Sequence, residues 1–121
     1  MNYKPLPSGL FIKDSNIEGQ GLFTTRDLIA GCELGESHYR IDINEEENKN
    51  LFIRTPLGGF INHSEEPNCH RSQIRIKPGF DKWIITVIKN ITAGEELTLK
   101  YTMYTPTKLP NNTKMAYLGG P

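Results

Sequence analysis

The chain has 121 residues, with 14 Lys and Arg against 14 Asp and Glu, and 36% of its residues are hydrophobic. That length supports one small domain, and the zero formal charge removes the basic field that draws proteins to nucleic acid, so no direct nucleic-acid binding is expected. No apolar run approaches the length of a membrane span, and the start, Met1 to Pro7, lacks the apolar stretch of a leader, so no membrane association is expected either.

Residues 1–9 hold two prolines and a glycine and read as an extended lead-in. Leu10 to Lys13 is a short apolar run of strand type, and Asp14-Ser15-Asn16 reads as a turn. Gly19-Gln20-Gly21 then precedes the apolar pair Leu22-Phe23. After the Ala30-Gly31 turn, Cys32 to Glu36 leads into Tyr39-Arg40-Ile41. Asp42 to Asn50, with Glu45-Glu46-Glu47 at its centre, reads as a short solvated helix or loop. Leu51-Phe52-Ile53 is a candidate buried strand, and Gly58-Gly59 breaks the chain before Phe60.

Gln73 to Lys77 alternates polar and apolar residues, the pattern of a half-buried strand. Pro78 to Asp81 is a turn. Trp83 to Ile88 is the clearest strand, rich in β-branched residues. Leu97 to Tyr101 is expected as the last strand, and the tail from Thr105, with prolines at 106, 110 and 121, reads as coil. About seven short strands with glycine-rich turns and almost no helical periodicity make this a mostly-β domain. Cys32 and Cys69 are too few for a small secreted scaffold and are expected as free, reduced thiols. With His38, His63 and His70 they show no metal-ligand spacing, so no metal is expected.

Three segments carry possible chemistry. Glu18-Gly19-Gln20-Gly21 has glycines that let backbone approach a ligand, although a tight turn explains them equally well. In Phe60-Ile61-Asn62-His63-Ser64-Glu65-Glu66-Pro67-Asn68-Cys69, polar residues follow an apolar run directly. Asn62 and Asn68 there serve either as backbone partners in a loop or, for Asn62 with His63, as an amide and imidazole facing a purine. Ala93-Gly94-Glu95-Glu96-Leu97-Thr98-Leu99-Lys100-Tyr101 is a turn and an alternating strand that ends in a tyrosine, which could simply pack.

In this order the three segments resemble the SET domain family of protein-lysine methyltransferases. The family carries a Gly-x-Gly, then Phe-x-Asn-His-Ser running into Pro-Asn, then Gly-Glu-Glu-Leu-Thr ending in Tyr. The resemblance spans roughly residues 10 to 104. It divides the chain into a lead-in (1–9), a SET domain (10–104) and a C-terminal tail (105–121), a size close to the minimal, virus-encoded members. It implies a β-clip fold of several small curved sheets around a knot-like core. There the Asn-His-Ser segment and the final strand thread past each other and bring Asn62 beside Tyr101.

The resemblance also implies S-adenosylmethionine as cofactor and a protein or peptide bearing a target lysine as partner, such as a histone-like tail. Cofactor and lysine would enter from opposite faces of one channel. Gly19, Gln20 and Gly21 would meet the methionine part of the cofactor, with Asn62 and His63 holding it around the adenine. Tyr101 would be catalytic, and Tyr39 and Tyr104 would line the lysine channel. A soluble, intracellular protein is expected, in a host cell if viral, with a homodimer left open.

The alternative reading is a catalytically weak SET-like module that binds cofactor or peptide. The pattern departs from the family at Gly59, where many members have Arg, and at Glu65, where a cysteine is common. It departs again at Gln20, where an aromatic is common. The cysteine-rich modules that flank larger members are missing, which leaves the tail or a second subunit to close the channel.

Overall fold

A computed structural model describes residues 6–44, 46–47 and 49–101, and the backbone course of 113–117. Within it the chain forms two sheets and a single helical turn, and almost everything else is strand or tight turn. The mostly-β expectation therefore holds.

Strands β1 (Leu10–Asp14) and β2 (Gln20–Thr24) form an antiparallel hairpin that pairs Leu10 with Thr24 and Asp14 with Gln20. The hairpin closes through Ser15 N donating to Gly19 O at 2.8 Å, and Gly19 takes φ +47°, a conformation that few side chains tolerate. Strand β8 (Glu96–Leu99) runs antiparallel beside β2. On its other edge β8 takes the two-residue β5 (Asn62–His63) in parallel, pairing Asn62 with Thr98 and His63 with Leu99. Leu97, Thr98 and Leu99 are all buried, so this strand is covered on both faces.

The larger sheet contains β3 (Glu33–Asn44), β4 (Lys49–Arg54), β6 (Cys69–Lys77), β7 (Phe80–Val87) and β9 (Thr113–Tyr117), in the order β6-β7-β3-β4-β9. Two expectations are corrected here. The acidic stretch Asp42 to Asn50 is neither a helix nor an extended loop, because β3 continues to Asn44 and β4 begins at Lys49. Strand pairing outweighs the polar composition, since Asp42 faces Asn50 across the hairpin while Arg40 reaches Asp42 at 3.3 Å and Asn50 Oδ1 at 3.3 Å. The tail is likewise not all coil. Thr113–Tyr117 adds a parallel strand to β4, an edge that local propensity cannot foresee.

The core lies where the sheets meet and is built from Leu22, Leu57, Ile61, Ile85, Leu97 and Leu99. The helical turn α1 (Pro56–Gly59) covers one end of it. Thr55 caps this turn by accepting from Gly58 N, and proline occupies the first position, where no donor is missed. Gly58 is required by space: a Cβ there would collide with Ser37 O and lie 2.9 Å from His38 Cε1.

Both cysteines are free. Val87 stands between them, pairing with Cys69 on one side and donating to Cys32 O at 2.8 Å on the other. Two strand spacings put their Cα atoms roughly 9–10 Å apart, beyond disulfide reach. Burial pushes the Cys69 thiol up to about 12, so it stays protonated.

Candidate active site

The parallel pairing of β5 with β8 decides where the polar residues go. Asn62 lies next to Thr98, and its side chain turns toward the β1–β2 hairpin. Its Nδ2 sits 2.8 Å from Glu96 Oε2, 3.1 Å from Ser15 Oγ, 3.1 Å from Glu18 O and 3.5 Å from Gln20 O. An amide nitrogen has two hydrogens, so four acceptors compete for it and its position is over-determined. Glu96 Oε1 also accepts from Ser15 Oγ at 2.7 Å.

Gly21 is needed beneath this network, because a Cβ there would collide with the Glu96 carboxylate. Gly19, by contrast, has nothing among the described residues within 4 Å of where a Cβ would stand, and Gly19 and Gln20 are both exposed. The inner side of the glycine turn is therefore held by Asn62, and its outer side is open. Ser15 and Glu96 were not singled out by sequence reasoning. Glu96 lies inside one of the three segments, but only the sheet pairing shows which way it points.

On the other side of the crossing, Tyr101 N donates to His63 Nδ1 at 2.8 Å, and the two rings meet edge to face with centroids 5.2 Å apart. The Tyr101 hydroxyl donates to Ile61 O. His63 and Tyr101 thus meet although 38 positions separate them, while the Asn62 side chain turns to the hairpin on the other side of the crossing. Because Nδ1 accepts, Nε2 carries the imidazole proton and points to Glu65 Oε1 at 3.0 Å. That hydrogen bond, together with Lys100, holds the Glu65 carboxyl below its ordinary range.

The Tyr101 phenol is 40% exposed. Burial of the rest raises its pKa, opposed by the positive charges of Arg71 and Arg54, while Glu18 adds to the rise. These two arginines belong to the inner face of the large sheet. Cross-strand partners share a face, and the register gives one row of Gln73, Trp83, His38 and Arg54. Arg71 and Ile85 form the next row on that face.

His38 is fully buried, with Nδ1 3.0 Å from Ser37 Oγ. Desolvation, then the charges of Arg71 and Arg54, lower its pKa to about 3, so it is neutral at ordinary pH. Among the described residues its Nε2 has no hydrogen-bond partner, and neither have the buried Nε and Nη1 atoms of the part-buried Arg71. Burial also lowers the Arg71 pKa. Neither His38 nor Arg54 was a site candidate from sequence, because only the register of distant strands brings them together.

Tyr39 is not brought to this cluster. It follows His38 directly and so points to the opposite face of the sheet, where its ring packs edge-on against Phe80 at 6.2 Å. Burial and the nearby Glu36 raise its pKa. Tyr104 lies outside the described residues. Among the described residues no group of three His, Cys, Asp or Glu side chains is placed to hold a metal ion, and no helix is long and apolar enough to cross a membrane. A separate shallow cleft at the Leu28–Ile91 bridge is lined by Asp27, Ile29, Asn90 and Thr92. Its one carboxylate already accepts from Ala93 N.

Comparison with known proteins shows the family. The family model described as the SET domain matches residues 19–102. The histone-lysine N-methyltransferase trithorax of Drosophila virilis is 31% identical over 110 residues, covering 72% of this chain and 3% of the relative. A variant-silencing SET domain-containing protein of Plasmodium falciparum is 32% identical over 125 residues, covering 76% of this chain and 5% of the relative. The chain thus spans only a small part of the length of these curated relatives.

Among solved structures, a Plasmodium falciparum protein assigned as a histone methyltransferase superposes with a TM-score of 0.62 at 18% identity, covering 78% of this chain and 94% of that one. A chain of the Polycomb Repressive Complex 2 of Chaetomium thermophilum gives 0.62 at 22% identity, covering 83% of this chain and 16% of that one. At these identities the superpositions speak for the fold.

Proposed function

The chain belongs to the SET domain family, and from that premise we propose that it is a protein-lysine N-methyltransferase that uses S-adenosylmethionine. The observation that carries the reading is the β5–β8 crossing, which sets the Tyr101 hydroxyl and the Ile61 carbonyl beside His63 on one side and the Asn62-held glycine turn on the other.

The residues around the turn fit such a cofactor. The Gly19 side is open, the exposed Gln20 lies beside it, and Asn62 and His63 offer an amide and an imidazole nearby. A zwitterionic ligand with a flat base asks for this mixture of backbone, amide and ring surface. When bound, S-adenosylmethionine would supply an electrophilic methyl group and leave as a neutral thioether.

The protein's own contribution is positional. A free lysine amine has a pKa of about 10.4 and must lose its proton before it can attack. Tyr101 O–H and Ile61 C=O would hold and orient the neutral amine. After transfer the alkylated amine sheds its extra proton to solvent. Trithorax carries the name of a histone-lysine methyltransferase. A histone-type tail is accordingly the substrate class proposed, with the acidic Glu46 and Glu47 exposed near the β3–β4 turn to attract it.

The test is calorimetric titration of S-adenosylmethionine, followed by mass spectrometry of recombinant core histones incubated with protein and cofactor. Saturable binding and mass increments of one methyl group on lysine are expected. A protein that binds no cofactor overturns the reading.

A further inference from the structure

We propose that His63 is a positioning residue for methyl transfer: its neutral imidazole accepts the backbone N–H of Tyr101 and so fixes, beyond the end of β8, the residue whose hydroxyl would meet the target amine. The inference rests on the methyltransferase reading above and deepens it. It gives the His63 ring its main part on the tyrosine's side of the crossing, whereas the family resemblance placed it with the cofactor.

Regular pairing stops short of Tyr101. Strand β8 ends at Leu99, and the parallel ladder with β5 closes where Ser64 N donates to Leu99 O at 2.8 Å. Lys100 and Tyr101 follow outside any strand. The Tyr101 N–H is met instead by a side chain, His63 Nδ1, at 2.8 Å. Its hydroxyl is met by Ile61 O. Tyr101 is therefore held at its backbone and at its tip by one segment, Ile61 to His63. The His63 ring packs against the phenol ring, with centroids 5.2 Å apart.

An imidazole accepts only through its unprotonated nitrogen, so Nδ1 holds a backbone N–H only while Nε2 carries the proton. Nε2 lies 3.0 Å from Glu65 Oε1, and Glu65 Oε2 lies 3.3 Å from Lys100 Nζ. Lys100 directly precedes Tyr101, so these contacts close a loop from Tyr101 through His63, Glu65 and Lys100 back to Tyr101. The arms of the loop differ in weight. The Glu65 and Lys100 side chains are 73% and 58% exposed, and an ion pair in water contributes little. The imidazole carries the hold, and Glu65 trims its orientation.

A hydroxyl that orients an amine acts through its place, and a displacement near 1 Å at the reacting groups costs about 100-fold in rate. Releasing the Tyr101 backbone from His63 leaves the hydroxyl tied at its tip alone.

Three measurements on the parent, His63→Ala, His63→Asn and Glu65→Ala test this. They are single-turnover methyl transfer to recombinant core histones, calorimetric affinity for S-adenosylmethionine, and amide hydrogen exchange at Tyr101. His63→Ala should slow transfer by about 100-fold, with a much smaller change in cofactor affinity, and should speed exchange at the Tyr101 amide about tenfold. Asparagine has no ring but places Oδ1 near the lost Nδ1, so His63→Asn should regain about tenfold in rate over His63→Ala and restore amide protection. Glu65→Ala should cost about twofold. An alanine variant that loses affinity as much as rate, or an asparagine variant no better than alanine, overturns the proposal.

Nitrogen NMR of the His63 ring in the parent supplies an arm that needs neither variant nor substrate. A protonated Nε2, a bare Nδ1 and a slowly exchanging Tyr101 amide are expected; the opposite tautomer or an unprotected amide overturns the proposal. If these signatures hold while the parent methylates no histone, the methyltransferase reading has failed and the hold of His63 on Tyr101 has not. If the parent methylates and His63→Ala keeps its rate, the hold has no part in transfer and the reading stands.

Discussion

The two sides of the β5–β8 crossing are built on opposite terms. On the glycine-turn side the polar groups converge. Asn62, Ser15, Glu96 and the carbonyls of Glu18 and Gln20 hydrogen-bond among themselves around one amide nitrogen. On the Tyr101 side, among the described residues, His38 Nε2 and the Nε and Nη1 of the part-buried Arg71 have no acceptor, and His38 is neutral. A satisfied network is rigid and preformed, as a binding cradle needs to be. An unsatisfied one stores free energy that an incoming group can use, as a reacting site needs. Under the function proposed above, the first side would hold the cofactor and the second would serve the reaction.

That contrast breaks most visibly at Tyr101. Tyr101→Phe removes one hydroxyl and leaves the ring against His63. Methyl transfer should fall at least ~100-fold, the size expected for one positioned hydroxyl, while calorimetric affinity for S-adenosylmethionine changes little. Asn62→Ala should do the reverse. It releases the glycine turn, so cofactor affinity should drop about tenfold or more, and the lost buried partners should cost about 1–3 kcal/mol in urea unfolding.

His38 sharpens the comparison through pH. Its folded value of about 3 lies below the ordinary 6.5. Between those values the unfolded chain binds the proton that the folded chain refuses. The stability of the native state is therefore full above pH 6.5 and lost progressively as pH falls toward 3. Urea midpoints of the parent should decline across that window, and those of His38→Gln should decline less.

The smallest effect is expected at Asn68, 8% exposed, whose side chain accepts from Thr98 N at 2.8 Å and donates to Glu96 O at 2.8 Å. Asn68→Ala strands those backbone groups and should cost about 1–3 kcal/mol, with cofactor affinity reduced only through Glu96.

Much of the cradle was legible because its residues stand in short contiguous segments. Gly19 to Gly21, Asn62-His63 and Tyr101 could each be picked out, and the family resemblance supplied their convergence. Strands β1, β2 and β7 announced themselves by apolar runs. The β3–β4 hairpin did not, because Asp42 to Asn50 is polar on both faces and only cross-strand pairing holds it. Strand β9 is written in the sequence as proline-flanked coil and exists through its partner β4. The row that joins His38 to Arg54 was hidden for the same reason. Arg54 and His38 are unremarkable in sequence, and only the register of β3 and β4 aligns them. Tyr39 shows the converse: it was carried over as a channel residue, and one step of strand alternation turns it away from the cluster.

The account stands or falls on whether the hydroxyl at the end of β8 serves methyl transfer. Intact-mass and peptide mass spectrometry of core histones, incubated with S-adenosylmethionine and either the parent or Tyr101→Phe, measures this directly. The account predicts lysine-borne methyl groups with the parent and at most a hundredth of that yield with the variant, at equal cofactor occupancy. Equal yields from the two proteins would contradict it.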